Sequence, residues 1–461
     1  MAATDPALWT TTEQAAAIRA GALGSVELLD AQLARIARLD PQVNAVCTLA
    51  VEGAREQASA ADEATADGRS WGPLHGLPVT IKDAIATAGI RSTGGSPVLL
   101  EHVPQHDAPV VASIKDAGAI VFGKTNVPLW SGDFQTFNEM FGTTNNPWDL
   151  ARVPGGSSGG AAAAVACGMT SFEIGTDIGG SVRVPSAFCG VFGHKPTFGV
   201  VPTLGYLDEP NGGVTESDVN VFGPIARSAA DLATLFGVLA GPAPDRAVGW
   251  RLDLPRADIA DLRSLRVATW FEEPSIPMDN EMIAILDGVA EQLSRIGVAV
   301  DRGARPQFDF SEAWHNGGWL IGAACNVSDG ERDVSHNEWL LADRQRARRR
   351  QAWAEFFEHV DVLLCPITLT PAFLHQQQGT WVDREIVVNG SIVPYLALEA
   401  WPALIGSAYL PSTSAPVGHT AGGLPVGVQV VSPYLYDYRS IAVAGLISEL
   451  VSGYAVPPIA R

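Results

Sequence analysis

At 461 residues the chain is long enough for two or three ordinary domains, although a large α/β enzyme can hold one sheet over such a span. Hydrophobic residues make up 47% and charged residues only 17%, which excludes a disordered polar chain and points to a well-buried core. A formal charge of −20 excludes a surface that tracks nucleic-acid phosphates and reads instead as a source of solubility. Cys47, Cys167, Cys189, Cys325 and Cys365 are scattered, with no Cys-x-x-Cys pair, and read as free thiols in a reducing compartment. Asp5 and Glu13 interrupt an N-terminal stretch that has no apolar block, and no run approaches the ~18 apolar residues of a membrane span. The expectation is a cytoplasmic protein without a membrane or nucleic-acid partner.

In chain order, Thr10-Thr11-Thr12-Glu13 has the form of a capping box and predicts a helix behind it. Ser25 is a candidate cap for a second helix, with Leu29, Leu33, Ile36 and Leu39 at helical spacing and Asp40-Pro41 as its stop. An Ala-rich third helix is predicted over about 51–66. From Leu77 onward, short apolar runs alternate with Gly-rich turns and helices, such as a helix over 109–117 followed by a strand over 119–122. That rhythm predicts an α/β fold with a mixed or largely parallel sheet covered by helices on both faces. Residues 241–245 read as a surface linker, after which a strand at 265–268 and a helix over 281–296 resume the pattern. Residues 311–410 are rich in tryptophan (Trp314, Trp319, Trp339, Trp353, Trp381, Trp401) and are expected to cover a cleft. The basic run 344–350 reads as a solvated helix face. Core strands are expected at 362–366 and 425–431.

The chemistry concentrates in Gly175-Thr176-Asp177-Ile178-Gly179-Gly180-Ser181-Val182-Arg183, between an apolar run at 171–174 and a helix-like start at 184–189. Glycines let such a bend aim its N–H groups at one point, where an anion can sit beside Ser181. A serine hydroxyl needs a base, and the nearest histidine is the distant His194. Two upstream segments supply better partners. Lys82 ends the apolar run Pro78-Val79-Thr80-Ile81-Lys82-Asp83, and Gly155-Gly156-Ser157-Ser158-Gly159-Gly160 forms a second Gly/Ser loop. Together they suggest a Ser/Lys hydrolase. The same loop also satisfies Gly-x-Ser-x-Gly, with Ser157 as nucleophile and His419 as base, but that motif needs a strand directly before it and Arg152-Val153-Pro154 is short and ends in proline. His102 and His106 have helical metal spacing, yet Pro104 between them favours a loop, so no metal is expected.

These two loops, the Lys82 segment, Phe141-Gly142-Thr143-Thr144-Asn145-Asn146-Pro147-Trp148 and Gly423-Leu424-Pro425-Val426-Gly427-Val428-Gln429 together resemble the amidase signature family, densely over about 10–240 and more thinly over 360–435. The resemblance implies one domain over 1–461: N-terminal helices in 1–70, a core carrying the motifs in 71–240, and the remaining core with the tryptophan-rich cover in 241–461. It implies Ser181 as nucleophile, Ser157 as a bridging serine preceded by a cis peptide, and Lys82 as base. It also implies an oxyanion hole from the N–H groups of Ile178, Gly179, Gly180 and Ser181, loop support from Ser158, Asp177 and Arg183, and an acyl pocket beside Ser131 and Gly132. Residues 381–401 are the candidate second wall.

A lysine base must be neutral, so burial has to lower its ordinary value near 10.4 by roughly 3 units, which flanking Val79, Ile81, Ala84 and Ile85 make physically reasonable. The expected activity is cofactor-free hydrolysis of small organic amides, anilides or carbamates through an acyl-enzyme, with esterase side activity, by a monomer or homodimer. The alternatives are the amidase subunit of a glutamine-dependent amidotransferase and a catalytically silent interaction protein. Intact Lys82, Ser157 and Ser181 weigh against the silent protein. The tryptophan-rich cover, taken as the wall of an apolar pocket, favours the small-molecule reading over the amidotransferase.

Overall fold

The computed structural model describes residues 5–210, 212–257, 259, 261–325, 334–451 and 453–461. The local signals near the N-terminus fold as their chemistry dictates. Thr10 Oγ1 accepts the Glu13 N–H at 3.2 Å while the Glu13 carboxylate accepts the Thr10 N–H at 2.8 Å, and the helix Thr11–Arg19 follows. In the second helix, Ser25–Val43, Gly24 is the cap, and the Ser25 hydroxyl donates to the Gly76 carbonyl instead. The helix also passes through Pro41 rather than stopping before it. Leu39 and Val43 are both buried, and Asn44 ends the helix in a left-handed conformation at φ 53°. Burial of that last turn outweighs the one hydrogen bond that proline removes.

Two sheets, not one, organise the core. The larger has eight strands in the spatial order Ala299–Asp301, Arg266–Thr269, Val362–Cys365, Pro425–Val431, Ser412–His419, Phe192–Lys195, Val221–Ala226 and Glu173–Asp177. Its first three strands run parallel, and every ladder from Val362–Cys365 onward is antiparallel, so the sheet is mixed. A smaller sheet sets Ile120–Thr125 between Val46–Leu49 and Pro78–Lys82, with Ile120–Thr125 and Pro78–Lys82 parallel and wholly buried. Burial on both faces is what a parallel pair with a continuous apolar run requires. Among the described residues, no helix is long and apolar enough to cross a membrane.

Two expectations for the later region change. Trp353 and Trp401 are core residues, the latter packed edge-on against Trp270 at 5.5 Å and tilted on Phe310 at 5.1 Å, so they wall no cleft. Trp381 lies exposed at the surface. The basic run lies on the helix His336–Phe357, where Arg346 and Arg349 are buried rather than solvated. Arg346 is paired with Asp218 at 2.7 Å and stacks on Tyr409, and Arg349 donates to Asn316 at 2.5 Å on the helix Phe310–Cys325. Asp343, one turn back on the same helix, also binds Arg346, while Asp218, Tyr409 and Asn316 come from elsewhere in the chain.

Candidate active site

The end of the strand Pro78–Lys82 delivers Lys82 into the interior, with no solvent exposure. Its Nζ donates to Ser157 Oγ at 2.7 Å and to Thr176 Oγ1 at 2.7 Å. Burial pushes the ammonium down from 10.5 to about 7, against the upward pull of Asp177 and Glu173. Close to neutrality this amine is therefore partly free to accept a proton.

Ser157 stands on the loop before the helix Gly159–Ala166, and the Gly156–Ser157 peptide is cis. The loop must run against other backbone. A methyl group at Gly156 would overlap the main chain of Asp133 and Gln135, and Gly155 takes a φ of +85° that favours glycine. The adjoining Ser158 N–H donates to the Ser181 carbonyl at 3.1 Å, tying the two Gly/Ser loops together.

The strand Glu173–Asp177 leads into the bend that carries Ser181, and Asp177 shapes that bend. Its carboxylate accepts the N–H groups of Gly180 at 2.9 Å, Val182 at 3.1 Å and Arg183 at 3.3 Å, and the Arg183 guanidinium at 2.7 and 3.0 Å. Burial alone would raise this carboxyl; the Arg183 charge and the hydrogen bonds hold it at about 2 instead. Arg183 continues to Pro402 O at 3.0 Å and Gln429 Oε1 at 2.8 Å, which anchors the bend to the strand Pro425–Val431.

This wiring corrects one assignment. The Gly180 N–H is committed to Asp177, so it leaves the expected oxyanion set. The N–H groups of Ile178, Gly179 and Ser181 make no hydrogen bond to any described residue.

The turn at Trp130 and Ser131 takes positive φ angles of 48° and 58°, and the phenol of Tyr206 lies against both Ser131 and Thr176. Gly132 closes the same turn on Leu129 at 3.0 Å. Opposite, the carboxyl of Glu399 rests so close to the bend that a methyl group on Gly179 would stand 2.9 Å from its Oε1. Its other oxygen faces Gly318 of the helix Phe310–Cys325, and burial raises this carboxyl from 4.5 to about 7. His419, the base of the rejected Gly-x-Ser-x-Gly reading, packs on Trp148 at a ring separation of 4.7 Å.

Sequence reasoning does not single out Thr176, Tyr206 or Glu399. Thr176 lies inside the motif beside Asp177, which is the one signal that could have found it. Tyr206 sits in a string with no recognisable pattern, and Glu399 lies in the stretch 381–401 expected as a second wall without being marked there as a residue.

Known proteins share this chain's sequence pattern and architecture. The amidase family model matches residues 27–331 and 324–440. A glutamyl-tRNA(Gln) amidotransferase subunit from Synechococcus sp. (strain CC9605) is 32% identical over 492 residues, covering 96% of each protein. The structure of the same subunit from Thermotoga maritima superimposes with a TM-score of 0.80 at 26% identity, over 100% of this chain and 99% of that one. A 6-aminohexanoate cyclic dimer hydrolase in complex with its substrate gives 0.78 at 26% identity, over 99% and 100%. With the motifs, the mixed sheet and these full-length matches in agreement, the chain belongs to the amidase signature family, whose enzymes act on carbon–nitrogen bonds.

Proposed function

We propose that the chain hydrolyses an acyl C–N bond with Ser181 as nucleophile, Ser157 as proton relay and Lys82 as base. The observation that carries this is the 2.7 Å contact between a fully buried Lys82 Nζ and Ser157 Oγ. Neutral Lys82 takes the Ser157 proton as Ser157 takes that of Ser181, and the Ser181 oxygen bonds to the acyl carbon. The free N–H groups of Ile178, Gly179 and Ser181 receive the oxyanion, each such donor contributing roughly 2–4 kcal/mol. The proton returns through Ser157 to the leaving nitrogen, the C–N bond breaks, and water attacks the acyl-enzyme by the same route. Asp177, Arg183 and Ser158 hold the bend, while Ser131 and Gly132 flank the acyl side.

For the substrate, the first reading to test is the amidase subunit of a glutamine-dependent amidotransferase, which passes ammonia to a partner protein. Three things support it over a free-standing hydrolase of small amides, anilides or carbamates. The full-length match at 32% is to an amidotransferase subunit. The tryptophans that argued for an apolar pocket include two that are core residues. Glu399 places an acidic group beside the bend, with no cation among the described residues against it, and an α-ammonium group there would restore its charge. The small-molecule reading keeps the support of the cyclic dimer hydrolase, which superimposes nearly as well.

The purified chain, alone and mixed with candidate partner proteins, would be assayed for ammonia release from glutamine and for turnover of aryl amides, carbamates and esters. Glutamine turnover with a KM raised about tenfold in Glu399→Gln, and kcat little changed, supports the amidotransferase reading. Turnover of neutral anilides or carbamates with glutamine inert returns the free-standing hydrolase to first place.

A further inference from the structure

Behind Lys82 lies a carboxyl that the relay does not use. Glu173, the first residue of the strand Glu173–Asp177, is fully buried and accepts Thr80 Oγ1 at 2.6 Å and the Ile174 N–H at 3.1 Å. Thr80 stands two residues before Lys82 on one strand, so both side chains share a face, roughly 7 Å apart. Thr125, which pairs laterally with Lys82 across the ladder, borders the same carboxyl. Glu173 therefore sits on the Lys82 side of the small sheet, one position below it.

The charges around it divide into pairs. Asp177 is satisfied by Arg183, with Lys195 further off. Lys124 faces Asp83 and places its Nζ on Ile85 O, Thr87 Oγ1 and Ser92 Oγ. What remains is Lys82, whose hydrogen bonds among the described residues go to hydroxyls, and Glu173, which forms no ion pair with any described cation; the Glu173 charge pulls Lys82 upward, and Lys124 is the charge that pulls Glu173 down. Burial favours the neutral form of each, and each charge favours ionisation of the other.

We infer that Glu173 is a positioning residue that sets the pH at which Lys82 becomes a competent base, by sharing one proton with it across the buried face. The inference rests on the relay proposed above. Its sign is definite. An ionised Glu173 makes the charged form of Lys82 more favourable and so holds the acid limb of reactivity at higher pH. Removing that charge frees Lys82 at lower pH.

The probe is a fluorophosphonate, with the rate of Ser181 labelling followed by intact mass on the full-length protein from about pH 5 to 9. Glu173→Gln keeps an acceptor for Thr80 and should move the acid limb down by about half to one unit. Relative to each protein's plateau, labelling at about pH 6 should become three- to tenfold faster than in wild type. A limb that superimposes on wild type, or moves up, overturns the inference, since a purely structural role would lower the plateau without moving the limb. Should Glu173→Gln not fold, Thr80→Val removes the donor that stabilises the carboxylate and should move the limb the same way by less; an unmoved limb there is equally fatal. Lys82→Ala separates the two claims: a limb that survives in that variant refutes the relay itself.

Discussion

Two buried lysines on neighbouring strands give this molecule its most instructive comparison. Lys82 and Lys124 are both without solvent exposure, and burial lowers both, to about 7 and about 8. Their partners differ in kind. Lys124 donates to the Ile85 carbonyl at 2.5 Å, which can only accept, and to two hydroxyls, and the nearby Asp83 charge pulls it upward against burial. Among the described residues Lys82 donates only to the hydroxyls of Ser157 and Thr176, and a hydroxyl can donate as readily as accept. Burial makes a lysine willing to lose its proton, and the chemistry of its partners decides whether that loss is useful.

The largest effects should separate the two residues outright. Lys82→Ala is expected to lower kcat/KM for an amide by about 10³–10⁴, with a folded protein by circular dichroism. Lys124→Ala should instead leave its acceptors and Asp83 unmatched and cost about 3–5 kcal/mol in urea unfolding, while the folded fraction keeps kcat within a few-fold. A Lys124→Ala protein that is stable but inactive would break the comparison.

A smaller effect sharpens it. The folded value of Lys82 lies near 7 and the ordinary value at 10.5, so between those limits the unfolded chain binds a proton that the folded chain does not. Stability must rise with pH through that window and take no slope from this group below it. Lys82→Met should flatten the rise by one proton. Near pH 7 it should also stabilise the fold by on the order of 1–3 kcal/mol, because the cost of neutralising the lysine exceeds that of two lost hydrogen bonds. Urea midpoints measured from pH 7 to 10 check both statements, and an unchanged slope would contradict them.

How far the sequence can be read depends on how local each feature is. The capping box at Thr10 and Glu13 closes within one helical turn, and it forms as its residues specify. Ser157, Ser181 and Lys82 are visible because each stands in or beside a Gly-rich or strand-end pattern, although the meeting of Lys82 with Ser157 depends on contacts that span 75 residues. The division into two sheets is not legible, since Pro78–Lys82 has the same apolar texture as a strand of the larger sheet and only its neighbour Ile120–Thr125 places it elsewhere. Composition misleads for tryptophan, because counting residues cannot distinguish buried Trp401 from exposed Trp381. The Gly180 donor escapes for a related reason: which of four successive N–H groups Asp177 claims is a matter of bend geometry. Glu399 lies within the stretch 381–401 expected as a second wall, but nothing in the sequence marks the residue itself, and it reaches the bend because the segment before the helix Ala400–Gly406 packs over it.

If Lys82 works by moving protons through Ser157, its loss must weigh differently on a matched amide and ester that share one acyl group. An amide nitrogen must be protonated as it leaves, whereas an alcohol leaves with far less help. Lys82→Ala should lower kcat/KM for the amide at least about tenfold more than for the ester. Equal losses for the two substrates would contradict the proton relay and leave Lys82 a structural support.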